Sequence, residues 1–441
     1  MSLLTPHRTS PEFPGRGAQW DTDRSSGARN FVVGVLLWVC TLGLVLTGLY
    51  GAYQVVVSSR FTGDLPVLPE VAKYHRFAVL VFARNEERVI GQLLASLRAQ
   101  DYPLDAFDVF VTADNCTDAT ADVARAAGAI TFERSAAGPR GKGAALNWFF
   151  AEHFPRSYDA CVVFDADNVV DPRFLAAMNR QLAAGHQIAT GYRMGKNPSS
   201  SWVAGASTLF WLMQTRFFHL PRALRNLPCT SVGGTGFMFA LRVLGADGWR
   251  TSSACEDIEF TLQAIAAGHF VALAPDAIFY DEQPLTFWQS LKQRYRWSVG
   301  SVQLIRTSVP KLLASVGPGQ LGALDAALYI IGVVVGGLSG LLWVLSLGLG
   351  LASGIGPGRT LLGVLASSVA GYLVLAAFGV LVARIEHVRW PGMAKAILGF
   401  PIWLFSWSVI NVVVLFYRDP TWHTVPHSEA MSLAEAQLEH R

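Results

Sequence analysis

At 441 residues the chain exceeds the usual span of one domain, and its composition, 51% hydrophobic with 15% charged, is far less charged than the roughly 25% of soluble domains. A net charge of +3 without any dense Lys/Arg run excludes a nucleic-acid-binding protein. Five cysteines (Cys40, Cys116, Cys161, Cys229, Cys255) without CxxC spacing exclude a disulfide framework or cysteine metal site and are expected to be buried, reduced thiols of a cytoplasmic domain.

In chain order, residues 1–30, rich in Arg, Ser, Gly and Pro, are expected to be a disordered tail, too long to precede the apolar core of a cleaved signal peptide. Residues 31–59, 326–358, 360–383 and 396–417 contain no Asp, Glu, Lys or Arg. A helix needs about 20 such residues to cross a bilayer. Four transmembrane helices are therefore expected, at 31–59, 324–352, 360–383 and 396–417. Around them lie a cytoplasmic domain at 61–283, interfacial helices at 284–320 and a polar tail at 418–441. Arg384, Arg389 and Lys395 against Glu386 favour the cytoplasmic side for the loop between spans three and four. That puts the large domain inside and both termini outside, whereas Arg8, Arg16, Arg24 and Arg29 pull the other way. The spans hold almost no polar residues that could bind a solute, and Asn411 reads as helix–helix glue.

Within 61–283 short β-rich runs alternate with helix-length segments. FAVLVFA (77–83) precedes an amphipathic stretch at 86–100 with Val89, Leu93, Leu94 and Leu97 on one face. FDVFVTA (107–113) precedes a helix at 117–127, a strand at 129–132 follows, then a helix from about 143, and CVVF (161–164) ends at Asp165. This alternation predicts an α/β fold with a doubly wound, mostly parallel sheet, whose ligands sit at the carboxyl ends of the strands. Polar clusters fall at three such ends: RNEE (84–87), DNCTD (114–118) and DADN (165–168).

Asp165 and Asp167, two apart as the chain leaves a strand, suit one Mg²⁺ or Mn²⁺ holding a diphosphate, although a lone DxD more often marks a turn or cap. Asp114 either contacts the ribose, the base or the metal, or closes an Asx-turn. Lys142, between Gly141 and Gly143 at a helix start, suits a phosphate or a nucleobase carbonyl, and the surrounding residues do not match a P-loop. In CEDIEF (255–260), Glu256 and Asp257 fit a helix dipole and equally a base that deprotonates a hydroxyl. QRYRW (293–297) offers Arg294 and Arg296 to a diphosphate and Trp297 to a sugar ring, within a stretch at 285–315 that also reads as an interfacial helix. The aromatic segment 202–220, interrupted by Arg216, is expected at the membrane surface or beside the acceptor rather than across the bilayer.

Read in order, RNEE, DNCTD, GKGAALN, DADN, GGTGFMF, CEDIEF, DEQP and QRYRW resemble the motif set of the membrane-integrated family 2 glycosyltransferases, the group of cellulose, chitin and hyaluronan synthases and ceramide glucosyltransferase. The resemblance covers about residues 75–305 and the membrane arrangement, and it is the ordered set that is specific. It implies a GT-A-like, nucleotide-sugar-binding fold and a metal-assisted, inverting transfer from a UDP-sugar to a glycan or lipid. Arg84, Glu86, Asp114 and Lys142 would hold the uridine part, and Asp165 and Asp167 the metal (Mg²⁺ or Mn²⁺) and diphosphate. Asp257 would be the base, beside a Cys255 that stands where the family has Thr. Arg296 would steady the diphosphate, and Gln293, Trp297, Gly234 and Thr235 would meet the acceptor. The leading expectation is a processive, polysaccharide-forming hexosyltransferase that passes its product through the membrane. The alternatives are a single-transfer enzyme making a glycolipid and, in another class, a non-catalytic nucleotide-sugar-binding membrane protein.

Overall fold

The computed structural model describes residues 17–135, 138, 141–155, 157–245, 248–317, 321–352, 356–417, 427 and 429–440. Among these, β1 (Phe77–Ala83), β2 (Phe107–Asp114), β3 (Ile130–Arg134), β4 (Ala160–Asp165), β5 (Val169–Val170), β6 (Ile188–Gly195), β7 (Phe237–Ala240) and β8 (Val271–Asp281) form one sheet in the order β3-β2-β1-β4-β7-β6-β8-β5. The helices are α1 (Gly17–Ser58), α2 (Ile90–Arg98), α3 (Thr120–Ala126), α4 (Lys142–Glu152), α5 (Phe174–Ala183), α6 (Trp202–Met213) and α7 (Leu220–Ala223). They continue with α8 (Glu256–Ala266), α9 (Phe287–Thr307), α10 (Val309–Ser315), α11 (Leu321–Ala352), α12 (Pro357–Ile385), α13 (Met393–Phe416) and α14 (Leu433–Leu438).

Every residue of β1 is buried, because the sheet is covered on both faces. Phe77, Val79 and Val81 join Leu93 and Leu97 of α2 and Phe174 and Met178 of α5. Ala78, Leu80 and Phe82 join Phe149 of α4, Phe260 of α8 and Ala326 and Ile330 of α11. The first turns of α11 thus complete the core of the α/β domain. Each buried Phe or Leu there contributes about 1.5–3 kcal/mol.

The sheet is more mixed than the alternation of runs suggests: β1, β2, β3 and β4 pair in parallel, but β7 runs antiparallel to both β4 and β6. After β6 the chain leaves for α6 and α7, then re-enters in reverse between β4 and β6. This brings the 233–236 loop beside the end of β4, where Gly236 N–H donates to Val163 O at 2.8 Å. Gly236 holds φ +64, and a Cβ there would run into the Phe279 ring, so only glycine fits.

Four helical stretches are long and apolar enough to cross a membrane: Phe31–Ser58, Leu321–Leu342, Gly358–Ile385 and Met393–Phe416. A buried ion pair anchors them: Arg222 Nε of α7 meets Asp325 Oδ2 of α11 at 2.7 Å, and Tyr53 of α1 donates to the same carboxylate. Helicity begins at Gly17, inside the stretch expected to be disordered, because a long apolar helix propagates readily into flanking residues; residues 1–16 lie outside the described residues.

Helix α13 lies against the domain along its length. Trp202 of α6 covers Gly399, Arg294 Nη1 of α9 donates to Trp403 O at 2.6 Å, and Ser298 Oγ to Asn411 Oδ1 at 2.6 Å. Tyr295 OH donates to Tyr417 O at 3.3 Å. At the other end Glu386 pairs with Arg216, and Trp390 is buried beside His440. Both ends of α13 and the described C-terminal residues therefore lie against the domain. Hydropathy registers that a helix is apolar but not whether protein or lipid covers it.

Candidate functional site

A cavity of about 310 Å³ opens at the carboxyl ends of β1, β2 and β4 and extends to α9, α11 and α13. Arg84, Glu86, Asp114, Lys142, Asp165 and Asp167 line one part, and Asp257, Gln293, Arg296, Trp297 and Gly234 line the rest. All of these were expected near a shared donor or acceptor through their motifs; the topology brings them to one hollow.

Lys142 opens α4 after Gly141, whose φ of +105 lets the chain turn into the helix. Its Nζ lies 2.5 Å from Asp165 Oδ1 and 2.6 Å from Gly234 O, so one cation ties the DADN loop to the GGTGFMF loop. Asp167 is only 3% exposed, and burial pushes its carboxyl up to about 8. His427, from the segment after α13, reaches this place: its ring lies 2.9 Å from Glu86 Oε1 and 3.5 Å from Asp167 Oδ2. Burial lowers the imidazole's proton affinity, but Asp167 and Glu86 outweigh it and hold His427 up to about 10. Burial also raises Glu86, whose Oε2 is buried without a hydrogen-bond partner.

At the cavity's other wall, α8 starts just after Cys255. The Asp257 carboxylate faces Gly234, with Oδ2 3.4 Å from where a Cβ of residue 234 would sit. Burial raises Asp257, while the Ile258 N–H, Arg296 and Lys142 pull it down. Burial and the neighbouring Asp257 push Glu256 up to about 7. Arg296 Nη1 donates to Ala254 O at 3.1 Å, at the entry to α8. The Trp297 ring stands 5.7 Å from Trp211 and 5.9 Å from Trp407.

This geometry can be set beside known proteins. Residues 75–300 match the family described as Glycosyltransferase like family 2, half of the chain. The chain belongs to glycosyltransferase family 2. A probable glycosyltransferase of Bacillus subtilis, YdaM, is 26% identical over 263 residues, 56% of this chain and 58% of that protein. A beta-monoglucosyldiacylglycerol synthase of Synechocystis is 26% identical over 278 residues, 61% of this chain and 56% of that one. The chain thus matches little more than half the length of these relatives. Among solved structures, the mannosyltransferase PcManGT of Pyrobaculum calidifontis, in complex with GDP-Man and Mn²⁺, shares the fold at a TM-score of 0.59 with 18% identity, over 84% of this chain and 98% of that one. The fold of this glycosyltransferase is GT-A-like, with a mixed sheet and four candidate membrane helices.

Two motif residues of the glycosyltransferase sit elsewhere. Thr235, expected at the acceptor, is 1% exposed and lies behind the loop, where its Oγ accepts from Asp165 N–H at 2.9 Å and it bonds Asn168. Arg294, expected to face a diphosphate, is fully buried against Trp403 and Ser406. A helix turns about 100° per residue, so Arg294 and Arg296 cannot share a face. Asp114 lines the cavity but is held by Arg134 Nη1 at 2.6 Å. All five cysteines are free; Cys116 is only half-buried, the other four fully so.

Sequence reasoning missed Arg134, Arg193 and His427. Arg193 lies 3.8 Å over the Trp211 ring, 3.6 Å from Asp281, and donates to Gly233 O. No motif flagged His427, which stands in a polar tail far from the domain in sequence.

Among the described residues no three His, Cys, Asp or Glu side chains form a metal cage. The donor set still fits Mg²⁺ or Mn²⁺, which commonly take one or two carboxylates and complete their shell with substrate phosphates and water. The observation that supports the fit is the paired Asp165 and Asp167 on one cavity wall, near Glu86, whose Oε2 is buried without a hydrogen-bond partner.

Proposed function

We propose that the enzyme transfers a hexose with inversion from a nucleotide sugar, UDP-linked in the first instance, to a hydroxyl of a lipid-borne acceptor. The observation that carries this reading is one continuous cavity, running from Asp165 and Asp167 past Asp257 to Tyr329 and Ile330 of α11 and Trp407 of α13, both helices apolar enough for a bilayer. An acceptor with an apolar tail can reach that end from the membrane side. The glycolipid synthase among the relatives supports the same choice.

In this reading Arg84, Glu86 and Asp114 bind the nucleoside, and Asp165 and Asp167 would hold Mg²⁺ or Mn²⁺ against the donor diphosphate. The metal supplies Lewis-acid neutralisation of the leaving diphosphate. Lys142 and Arg296 add fixed positive charge beside it, in a cavity where such charge is little screened. Asp257 accepts the acceptor's proton, while Gln293, Trp297 and Gly234 orient that acceptor. Thr235 acts indirectly, by fixing the Asp165 backbone. Direct displacement needs one base and a stabilised leaving group, so no covalent nucleophile is required.

Protein in nanodiscs, given labelled UDP- and GDP-sugars with Mg²⁺ or Mn²⁺, should yield a glycolipid of discrete mass. Asp257→Asn should abolish transfer and spare UDP binding. Absence of turnover with every donor, in protein that binds UDP, refutes the catalytic reading and leaves a nucleotide-sugar-binding membrane protein. The QRYRW box favours a second reading, stepwise polysaccharide extension; a ladder of products would establish it.

We also infer the membrane arrangement. Tyr417 and His427 are separated by nine residues, too few for a helix that crosses the hydrocarbon, which takes about 20. An extended polar segment is not tolerated there either. With both its ends against the domain, α13 lies in the interface, and α1, α11 and α12 make three crossings. The domain faces the cytoplasm, in line with Arg384, Arg389 and Lys395 beside it. Cysteines placed at Gly392 and Glu429 should both react with an impermeant thiol reagent from the cytoplasmic side only; opposite-side labelling of either overturns the arrangement.

A further inference from the structure

Between α6 and α7 the backbone widens into a π-helical turn, Gln214–His219. Such turns are rare, concentrate at functional sites, and re-aim side chains that an α-helix would stack elsewhere. Here Gln214 and His219 line the cavity at its membrane end, together with Tyr329 and Ser231. They also line a recess of about 20 Å³ behind it, room for one water.

Two polar atoms of this turn lack partners: Gln214 Oε1 and His219 Nδ1 are both buried with no hydrogen bond. Gln214 Nε2 donates to Tyr329 OH at 3.4 Å, which leaves its amide oxygen over. Stranding a buried polar group costs about 1–3 kcal/mol, so two in one turn that borders a binding cavity call for a ligand. The corner carries little free charge to offer. Burial, with Arg222 and Arg193 near, pushes His219 down to about 3, so its imidazole is neutral at physiological pH. The Arg193 guanidinium is committed to Asp281, Gly233 O and the Trp211 face.

Resting on the proposed transfer to a lipid-borne acceptor, we propose that Gln214 and His219 form an acceptor subsite for an uncharged, polyhydroxyl head group, whose spare hydroxyls satisfy the two stranded atoms while Asp257 takes the proton of the reacting one. Trp211, Trp297 and Trp407 supply flat apolar faces for the same head group. A single-hydroxyl alcohol leaves both atoms stranded, and an anionic head group meets a neutral imidazole and an amide oxygen.

The test compares dodecyl β-glucoside, dodecanol and dodecyl phosphate as acceptors for enzyme in nanodiscs, with UDP affinity and acceptor-free donor hydrolysis measured alongside. Gln214→Leu and His219→Phe should each raise the KM for the glucoside about tenfold, leave UDP affinity and donor hydrolysis unchanged, and leave dodecanol turnover as poor as before. Should either variant fold badly, Gln214→Glu serves: its carboxylate still accepts hydroxyl hydrogen bonds and should retain the glucoside. Unchanged KM in both variants, or dodecyl phosphate preferred to the glucoside, overturns the subsite. If wild-type protein that binds UDP glycosylates none of the three acceptors with any donor, the transferase reading itself has failed, which is a separate outcome.

Discussion

Gly300 is one point where the QRYRW helix touches the start of α8, and replacing it with alanine tests whether that contact sets the catalytic geometry. A Cβ at residue 300 would stand 2.5 Å from Cys255 Sγ, 2.8 Å from Cys255 N and 2.9 Å from Cys255 Cβ, all shorter than the ordinary contact range of 3.4–4 Å. A rotamer change can move Sγ but neither the backbone nitrogen nor Cβ. The whole residue must shift by about 1 Å, and with it the first turn of α8 that carries Glu256 and Asp257, or else α9 and Trp297 move instead. Overpacking of this kind costs about 1–3 kcal/mol. A displacement of about 1 Å between base and acceptor platform lowers kcat/KM by about 10²-fold. Gly300→Ala should therefore lose about two decades of kcat/KM in a labelled-sugar transfer assay, with UDP affinity held within a few-fold because the DADN wall is untouched. Adding Cys255→Ala should restore only part of the loss, since the clashes with N and Cβ remain. Wild-type kcat/KM in Gly300→Ala would refute the claim that the two helix segments are fixed against each other through this contact.

Asp325→Ala leaves Arg222, which is fully buried, without its carboxylate and should destabilise the enzyme by about 3–5 kcal/mol, read as a lower midpoint in detergent unfolding. The pH profile should show the raised carboxyls of α8. Proton acceptance needs an ionised Asp257, whose carboxyl burial raises, so the acid limb of kcat/KM should lie above the ordinary carboxylate range; an acid limb near 4 would refute the assignment. The sign for stability is opposite: the protonated, buried Glu256 favours the folded state at low pH, and this contribution is lost as pH rises through about 7. Ala436→Asp puts a charge into the buried cluster of Val169, Tyr280 and Leu433 that seats α14, so residues 429–440 should become open to protease. With the anchor gone His427 should leave Glu86, weakening Mn²⁺-dependent UDP binding about three- to tenfold; full affinity in cleaved protein would show that His427 has no part in the donor site.

By itself the sequence determined the parts whose signals are local. Apolar runs of strand length followed by amphipathic helices defined β1 to β4 and their helices to within a few residues, because burial on both faces of a parallel sheet leaves a near-continuous apolar imprint. Polar clusters at successive strand ends pointed to the cavity that forms the candidate site, since only one edge of such a sheet collects carboxyl ends. The ordered motif set then gave the family.

Tertiary structure alone decided which member of a motif faces the cavity and what distant chain joins it. Thr235 and Arg294 look like site residues in sequence, but the tight 233–236 loop and the 100° helical step turn them away. His427 and the stranded atoms of Gln214 and His219 lie in no motif. They become visible only when a tail folds back or a π turn opens, because hydrogen-bond partnership is a property of space and not of spacing. Apolarity, likewise, is written in the residues of α13, whereas the packing of α6 and α9 against one of its faces is decided only by the fold.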